Sequence, residues 1–216
     1  MARINILFHT VSGHTFKLAE SLAEGVREIP RCDVKLLRIP EPHGMPPIVM
    51  PGLEARHYDF AHIPEATIDD LADCDGLALG SPVYWGGMSY ATKLFLDSAA
   101  RLWDLGSPNQ PVRSAPDLAA KPATAFTGGG SGLGNDPALL GMWTALGFFG
   151  MTIVTLGIAV PEVSEPTRVD GGSPLGAQTF GRRPGKHPSP IEATIARKQG
   201  RRLAEVTRAW AERSRA

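Results

Sequence analysis

Short apolar runs alternate with helical segments along the chain, and this alternation limits the folds that the chain can adopt. The first run, Arg3 to His9, is almost continuously apolar, as expected for a strand that is buried on both faces. Leu18, Leu22 and Val26 then recur every four residues, which predicts a helix. A second apolar run follows at Asp33 to Ile39. The opening is therefore a β-turn-α-β unit, which builds parallel sheets.

The same alternation continues along the chain. Further strands are predicted at Asp75–Ser81, Lys121–Thr127 and Met151–Ile158. Helices are predicted at 67–73, 89–102 and 135–149, and from Ser189 onward, where Ser189, Pro190 and Glu192 are typical of a capped start. Residues 40–66 and 160–188 are predicted to be long loops. The 216 residues therefore predict a single α/β domain with a doubly wound, five-stranded parallel sheet between helices.

Composition excludes some partners. Lys and Arg together number 22, as do Asp and Glu, so the net charge is zero and a nucleic-acid partner is not expected. The first apolar run is too short for a membrane span or a signal peptide, and a cytoplasmic protein is expected. Cys32 and Cys74 form no CxxC pair, and the irregular spacing of the histidines in the first long loop predicts no metal site.

The turn after the first strand has the composition of a phosphate-binding loop. Its hydroxyl groups and backbone N–H groups precede a helix N-terminus, where the helix dipole stabilises an anion. The loop contains no lysine and is not a Walker loop, and no GxGxxG follows the strand. The alternative is a polar turn capped by Ser12 or Thr10. The candidate phosphate-binding residues are Thr10, Val11, Ser12, Gly13, His14 and Thr15.

Two more segments follow strand ends at the same edge of the predicted sheet. The first segment contains adjacent aromatic side chains that could stack on a planar ring, although one of them could simply pack on the next helix. It comprises Ser81, Pro82, Val83, Tyr84, Trp85 and Gly86. The second is rich in glycine, so its backbone could approach a heterocycle closely, unless it is only a flexible linker. It comprises Thr127, Gly128, Gly129, Gly130, Ser131 and Gly132. The three segments together predict a site for a phosphate joined to a flat ring.

The first of these segments resembles the flavodoxin family, because residues Thr10 to Thr15 have that family's T-x-[ST]-G-x-T pattern. It is more closely similar to the WrbA-type NAD(P)H:quinone oxidoreductases. The segments that carry this similarity include Ser12-Gly13-His14, Ser81-Pro82, Phe95-Leu96-Asp97, Gly171-Gly172-Ser173-Pro174-Leu175-Gly176-Ala177 and Gln199-Gly200. The resemblance implies a flavodoxin-like, three-layer α/β/α fold with strand order 2-1-3-4-5. It also implies FMN as cofactor, NADH or NADPH as co-substrate, a quinone-like acceptor, and a homotetramer or dimer.

The resemblance also implies roles for the candidate residues. Flavin N5 carries the hydride in a ping-pong reaction, so no side-chain catalyst is expected. For His14, only the backbone N–H is expected at the phosphate, with the ring in solvent; the alternative is a bond from the ring to the phosphate. Trp103, Phe148 and Phe149 are expected to contact the substrate, Trp103 from a neighbouring subunit. Where the family usually has Arg-Phe, this chain has Tyr84-Trp85. Where the family usually has His-His, it has Phe148-Phe149, so a more apolar acceptor pocket is expected.

Three other functions are compatible with such a fold. A single-electron carrier of the flavodoxin type is usually acidic, and the zero net charge argues against it. A non-catalytic interaction protein could use the basic residues of the last helix, such as Arg197, Lys198 and Arg201, but glutamates are interspersed among them. An NADPH-dependent FMN reductase that releases its flavin has a neighbouring activity.

Overall fold

The central element is a parallel sheet. The computed structural model describes residues 1–44, 58–102, 118–165, 169–181 and 187–214. The main strands are β1 (Ala2–Phe8), β2 (Cys32–Arg38), β3 (Gly76–Tyr84), β5 (Pro122–Gly129) and β6 (Thr152–Ile153), and β4 (Gly87–Met88) and β7 (Gln178–Phe180) are short. The main order is β2-β1-β3-β5-β6, with β4 on β3 and β7 on β5. This confirms the predicted order 2-1-3-4-5.

Helices cover both faces of the sheet. Their bounds are α1 (His14–Arg27), α2 (Asp69–Ala72), α3 (Tyr90–Ser98), α4 (Asn135–Phe148), α5 (Pro161–Ser164) and α6 (Pro190–Ser214), and a 3₁₀ turn covers Ala99–Leu102. Successive strand residues point to opposite faces. Ile6 therefore packs in a core with α1 and α6, whereas Leu7 packs in a second core with α2, α3 and α4. The predicted three-layer α/β/α fold is confirmed.

The start of α6 also confirms its prediction. The Ser189 hydroxyl accepts a hydrogen bond from the Glu192 backbone N–H at 3.2 Å, and the Glu192 carboxylate accepts one from the Ser189 N–H at 2.9 Å. This reciprocal pair is a capping box. Further along, α6 lies very close to α1. At Gly200 there is no room for a side chain, since a Cβ there would stand only 2.0 Å from the Leu22 carbonyl oxygen.

The fifth strand differs from the prediction. Instead of the whole run Met151–Ile158, only Thr152–Ile153 pairs with β5. Val154 still donates its backbone N–H to the Ala123 carbonyl oxygen at 2.7 Å, and the chain then leaves the sheet, with the Val154 and Leu156 side chains buried in the core beside α1 and α6. It returns as β7, which pairs with the other end of β5 inside the predicted loop 160–188. The edge of the sheet is thus built from two separate pieces, and the predicted loop contains both β7 and α5.

The segment after the third strand also differs from the prediction. The strand continues through Pro82 and Val83 to Tyr84, and β4 pairs back against it. The two connecting residues, Trp85 and Gly86, have φ angles of 53° and 79°. Positive φ at both positions is typical of a type I′ hairpin turn. The segment after the predicted strand is therefore a tight hairpin.

Other predicted elements are shorter than expected. The helix at 67–73 is limited to Asp69–Ala72, and the helix at 89–102 ends at Ser98 before the 3₁₀ turn. No helix in the described part of the chain is both long and apolar enough to cross a membrane.

Candidate functional site

A pocket lies at the carboxyl ends of β1, β3 and β5, where ligands bind in sheets of this kind. It brings together the three segments that the sequence predicted to form a site. The residues that line it are Thr10, Val11, Ser12, His14, Thr15, Pro82, Val83, Tyr84, Gly128, Gly129, Gly130 and Gly181.

One end of the pocket is the N-terminus of α1. The residue before the helix, Gly13, has a φ of 88°, and no side chain caps the helix. The Gly13 N–H instead donates to the Thr10 hydroxyl at 3.0 Å. The hydroxyl-bearing side chains Thr10, Ser12 and Thr15 therefore surround a helix N-terminus that faces the pocket. Such an arrangement binds phosphate groups.

Tyr58 covers the outside of this turn, a contact that the sequence did not indicate. Its backbone N–H donates to the Ser12 carbonyl oxygen at 3.1 Å. A Cβ at Gly13 would stand 2.6 Å from the Tyr58 Cβ, so glycine is needed both for the positive φ and for this close approach. Part of the first long loop thus holds the turn in place, while residues 45–57 lie outside the described part of the chain.

The His14 ring is held in the structure. Its Nδ1 lies 2.8 Å from the Ser12 hydroxyl oxygen. Tyr58 and His187 meet the ring edge-on, with centroids 5.8 and 6.1 Å away. The expectation of a ring in solvent was therefore wrong. Packing by residues distant in sequence fixes the ring, and nothing near His14 in the sequence signals it.

The aromatic segment supplies one wall of the pocket, with some corrections. Pro82, Val83 and Tyr84 line it. Trp85 does not, because the hairpin turn leaves its side chain fully exposed. Ser81 is buried away from the pocket, where its hydroxyl accepts from the Ser89 N–H at 2.9 Å and so supports the start of α3. Gly86 packs against Gly134, where a Cβ would stand 2.6 Å from the Gly86 Cα.

The glycine-rich segment supplies the opposite wall. Gly128, Gly129 and Gly130 line the pocket, but the Thr127 side chain is fully buried and Ser131 is exposed outside it. A Cβ at Gly128 would stand 2.8 Å from the Thr15 hydroxyl oxygen, so glycine lets this wall lie close to the N-terminus of α1. Gly132 packs against the Phe180 ring.

Gly181 also lines the pocket, and the sequence gave no signal for it. It follows β7, which a buried carboxylate holds in place. Glu192 accepts hydrogen bonds from the backbone N–H groups of Gly171 and Phe180 at 3.0 and 2.9 Å, and from the Thr179 hydroxyl at 2.7 Å. Its Oε2 also lies 3.6 Å from Nδ1 of His187. The capping glutamate of α6 therefore positions one rim of the pocket.

A second polar cluster lies next to the pocket wall. Nε2 of the buried His9 lies 2.7 Å from Glu41, which also accepts a hydrogen bond from the Tyr90 hydroxyl. Burial lowers the pKa of His9, and the bond to Glu41 opposes this shift. Burial acts to raise the pKa of Glu41, but the bonds to Tyr90 and His9 outweigh it, so this pKa is lowered.

The pKa values of two tyrosines are strongly raised: Tyr90 belongs to this cluster, and Tyr84 lies beside it. Burial raises the pKa of Tyr84 to about 12, with a smaller contribution from the Glu41 charge. The hydrogen bond to Glu41 raises the pKa of Tyr90 to about 12. Both phenols therefore stay protonated at neutral pH, and Tyr84 presents a neutral side chain to the pocket.

Two of the three residues expected to contact the substrate, Phe148 and Phe149, lie elsewhere. Phe149 is 7% exposed and belongs to the core beside α4. Phe148 is 71% exposed, but it ends α4, whose first residue, Asn135, packs against Gly129. A helix of 14 residues spans about 20 Å, so within one chain Phe148 is far from the pocket. Trp103 lies outside the described residues.

Comparison with solved structures supports the fold. A flavodoxin, WrbA-like protein from Agrobacterium tumefaciens shares 20% identity over 97% of this chain and 99% of its own, with a TM-score of 0.63. RosB, solved with 8-demethyl-8-formylriboflavin-5′-phosphate, shares 15% identity over 98% of this chain and 81% of its own, with a TM-score of 0.61. Flavodoxin 1 from Bacillus cereus shares 16% identity over 94% and 98%, with a TM-score of 0.57.

A comparison with protein families is more specific than these structural similarities. The family described as NADPH-dependent FMN reductase matches residues 9–164, from the end of β1 to the end of α5. The match includes the phosphate-type turn and both walls of the pocket, and it covers well over half of the chain. The chain belongs to the NADPH-dependent FMN reductase family.

Proposed function

We propose that the chain binds FMN in this pocket and transfers two electrons from NADPH or NADH to a quinone-like acceptor. The observation that carries the proposal is the pocket itself, because an uncapped helix N-terminus surrounded by hydroxyl groups faces an aromatic wall and a glycine wall. Such a pocket matches a phosphate joined to a flat ring. The family supports FMN and NADPH, and RosB, which has the same fold, holds a related flavin phosphate.

The residues fit FMN in detail. The hydroxyl groups of Thr10, Ser12 and Thr15 would bind the phosphate together with the start of α1. Gly128, Gly129 and Gly130 carry no side chain that would keep the ring from their backbone. When bound, FMN supplies hydride acceptance and donation, so the protein need only bind, orient and exclude water.

The two substrates would use the same side of the pocket in turn, as in a ping-pong reaction. The neutral Tyr84 phenol stands in the wall, where it can donate a hydrogen bond to a carbonyl oxygen of a bound quinone. The WrbA-type resemblance supports a quinone acceptor and a homotetramer. An apolar groove between α3 and α4, lined in part by Leu96, Ala145 and the exposed Phe148, supports self-association, through which Phe148 would reach a neighbouring subunit.

The family name favours a second candidate function, in which FMN is a substrate that is reduced and then released. The two functions differ in whether the flavin stays on the protein. The purified chain is loaded with FMN, desalted, and treated under anaerobic conditions with NADPH or NADH and then with benzoquinone, while the visible flavin absorbance is recorded. Retained flavin that bleaches and recovers supports the quinone oxidoreductase.

Other results select other functions. Loss of FMN during desalting, with rapid NADPH oxidation once FMN is added back, supports the reductase that releases its flavin. Retained FMN that NADPH and NADH do not bleach supports an electron carrier. Absence of flavin binding overturns the proposal. As a matched pair, Gly128→Val should abolish flavin binding, whereas Gly147→Ala should not, because a Cβ at Gly147 meets nothing within 4 Å.

A further inference from the structure

A phosphate ligand imposes a direction on the hydroxyl groups around it. A phosphate dianion offers only acceptor oxygens, so each hydroxyl that binds it must donate its single proton to it. The oxygen of that hydroxyl can then only accept from other protein groups. The hydrogen bonds that the hydroxyl makes inside the protein therefore decide whether it is available to the phosphate.

Thr10 already satisfies this condition. Its hydroxyl oxygen accepts a hydrogen bond from the Gly13 backbone N–H at 3.0 Å. A backbone amide can only donate, so the Thr10 O–H proton remains available to a ligand in the pocket that Thr10 lines.

Ser12 differs, because its partner can either donate or accept. The Ser12 hydroxyl oxygen lies 2.8 Å from Nδ1 of His14. If Nδ1 carries no proton, Ser12 donates to His14 and has no proton for a phosphate. If Nδ1 carries a proton, Ser12 accepts from His14 and its own proton can point into the pocket. The protonation of one ring nitrogen thus controls one phosphate ligand.

The surroundings of His14 keep its ring in the position that this control requires. Tyr58 and His187 meet the ring edge-on. A Cβ at Gly181 would stand 2.9 Å from Nδ1, so glycine leaves the space that the ring occupies. The Tyr58 hydroxyl donates to the His187 carbonyl oxygen at 2.8 Å, which joins the two flanking residues. Lys17 lies over the Tyr58 ring, and Glu192 lies beside His187.

We infer that His14 is a positioning residue for phosphate recognition: its Nδ1–H group donates to the Ser12 hydroxyl and so orients the Ser12 proton toward the ligand phosphate. The inference rests on the proposed FMN function and deepens it. The bound phosphate selects the form of His14 that is protonated at Nδ1, and this pair contributes to the preference of the chain for FMN over riboflavin. The neutral form protonated only at Nε2 leaves the phosphate with one donor fewer.

The test compares two amides that mimic the two ring nitrogens. The Asn amide nitrogen lies near the position of Nδ1, and the Gln amide nitrogen lies near that of Nε2. FMN and riboflavin affinities are measured by flavin fluorescence for the wild type, Ser12→Ala, His14→Asn and His14→Gln. Loss of one charge-assisted hydrogen bond weakens binding about tenfold or more. We expect this loss of FMN affinity for Ser12→Ala and His14→Gln, and recovery to within about threefold of the wild type for His14→Asn.

Riboflavin is the internal control, because it has the same ring and no phosphate. Its affinity should be the same in all four proteins, which also shows that the variants are folded. Nitrogen-15 NMR of the imidazole in the FMN complex should show a proton on Nδ1 of His14. Rescue by Gln instead of Asn, equal FMN affinities, or an unprotonated Nδ1 in the complex would each overturn the inference while FMN binding itself stands. If the wild type binds neither flavin, the proposed function fails and the inference fails with it.

Discussion

Replacing Glu192 with Gln removes a negative charge from a site that is 1% exposed. The carboxylate accepts from the N–H groups of Gly171 and Phe180 through Oε1, and from Thr179 and the Ser189 N–H through Oε2. The Gln oxygen can replace Oε1. Its NH₂ group would face the Ser189 N–H, which then loses its acceptor, while the Thr179 hydroxyl can turn to accept. One backbone donor is left unpaired, and two remaining bonds lose their charged acceptor.

A buried donor without a partner costs about 1–3 kcal/mol, and bonds to a neutral acceptor are weaker than bonds to a charged one. Together these losses destabilise Glu192→Gln by about 2–4 kcal/mol. With a denaturant slope of about 2–3 kcal/mol/M in urea, the unfolding midpoint should fall by about 1 M. Urea unfolding followed by circular dichroism measures this shift.

Glu205→Gln is the matched control on the same helix, because Glu205 is exposed and, within the described part of the chain, its ion pair is with Arg201, at 3.1 Å. An exposed pair of this kind contributes less than about 0.5 kcal/mol. A Glu192→Gln midpoint that falls no further than that of Glu205→Gln would refute the assignment of Glu192 as the residue that holds β7 and the pocket rim.

Two further perturbations follow from the structure. Trp85 has a φ of 53° and a fully exposed side chain. Trp85→Asn creates an Asn-Gly turn, which accepts this backbone conformation more readily, and it should stabilise the protein by about 1 kcal/mol. Thermal unfolding measures the change, and a lower melting temperature would contradict the interpretation of a strained turn. Burial lowers the pKa of His9 below its ordinary 6.5, so the unfolded chain binds more protons there and stability falls as the pH drops below about 6.5. His9→Gln, which keeps a donor toward Glu41, should lose less stability than the wild type between pH 7 and 5.5 in urea unfolding, and an equal loss would contradict this account.

The fold was predictable because it depends on local patterns. Buried strand runs and helical periodicity placed β1, β2, β3 and β5 correctly, and the pattern from Ser189 to Glu192 placed the start of α6. The split edge was not predictable, because Val154 and Leu156 are as apolar as strand residues and only tertiary packing shows that they enter the core. An apolar run does not distinguish a strand from a buried irregular segment.

The site was partly predictable for the same reason. Its three segments follow strand ends, so the topology brings them together and local composition identifies them. Ser81 and Trp85 do not line the pocket, because Ser81 is buried within β3 against the start of α3, and the hairpin turn leaves Trp85 exposed. Tyr58, Gly181, His187 and the second role of Glu192 were missed, because their contacts with the pocket join residues far apart in sequence.

The split edge of the sheet has a consequence for the behaviour of the protein at high concentration. An uninterrupted outer strand exposes a row of unpaired peptide groups, on which another chain can form a further strand and begin to aggregate. Beside β5 this role is divided between two residues of β6 and three residues of β7, and directly after β6 the Val154 and Leu156 side chains enter the core. The Gln199 side chain occupies part of the gap, since its amide donates to the Ala125 carbonyl oxygen at 2.8 Å. In the described part of the chain, neither piece of this edge is therefore long enough for the sheet of a neighbouring molecule to extend it.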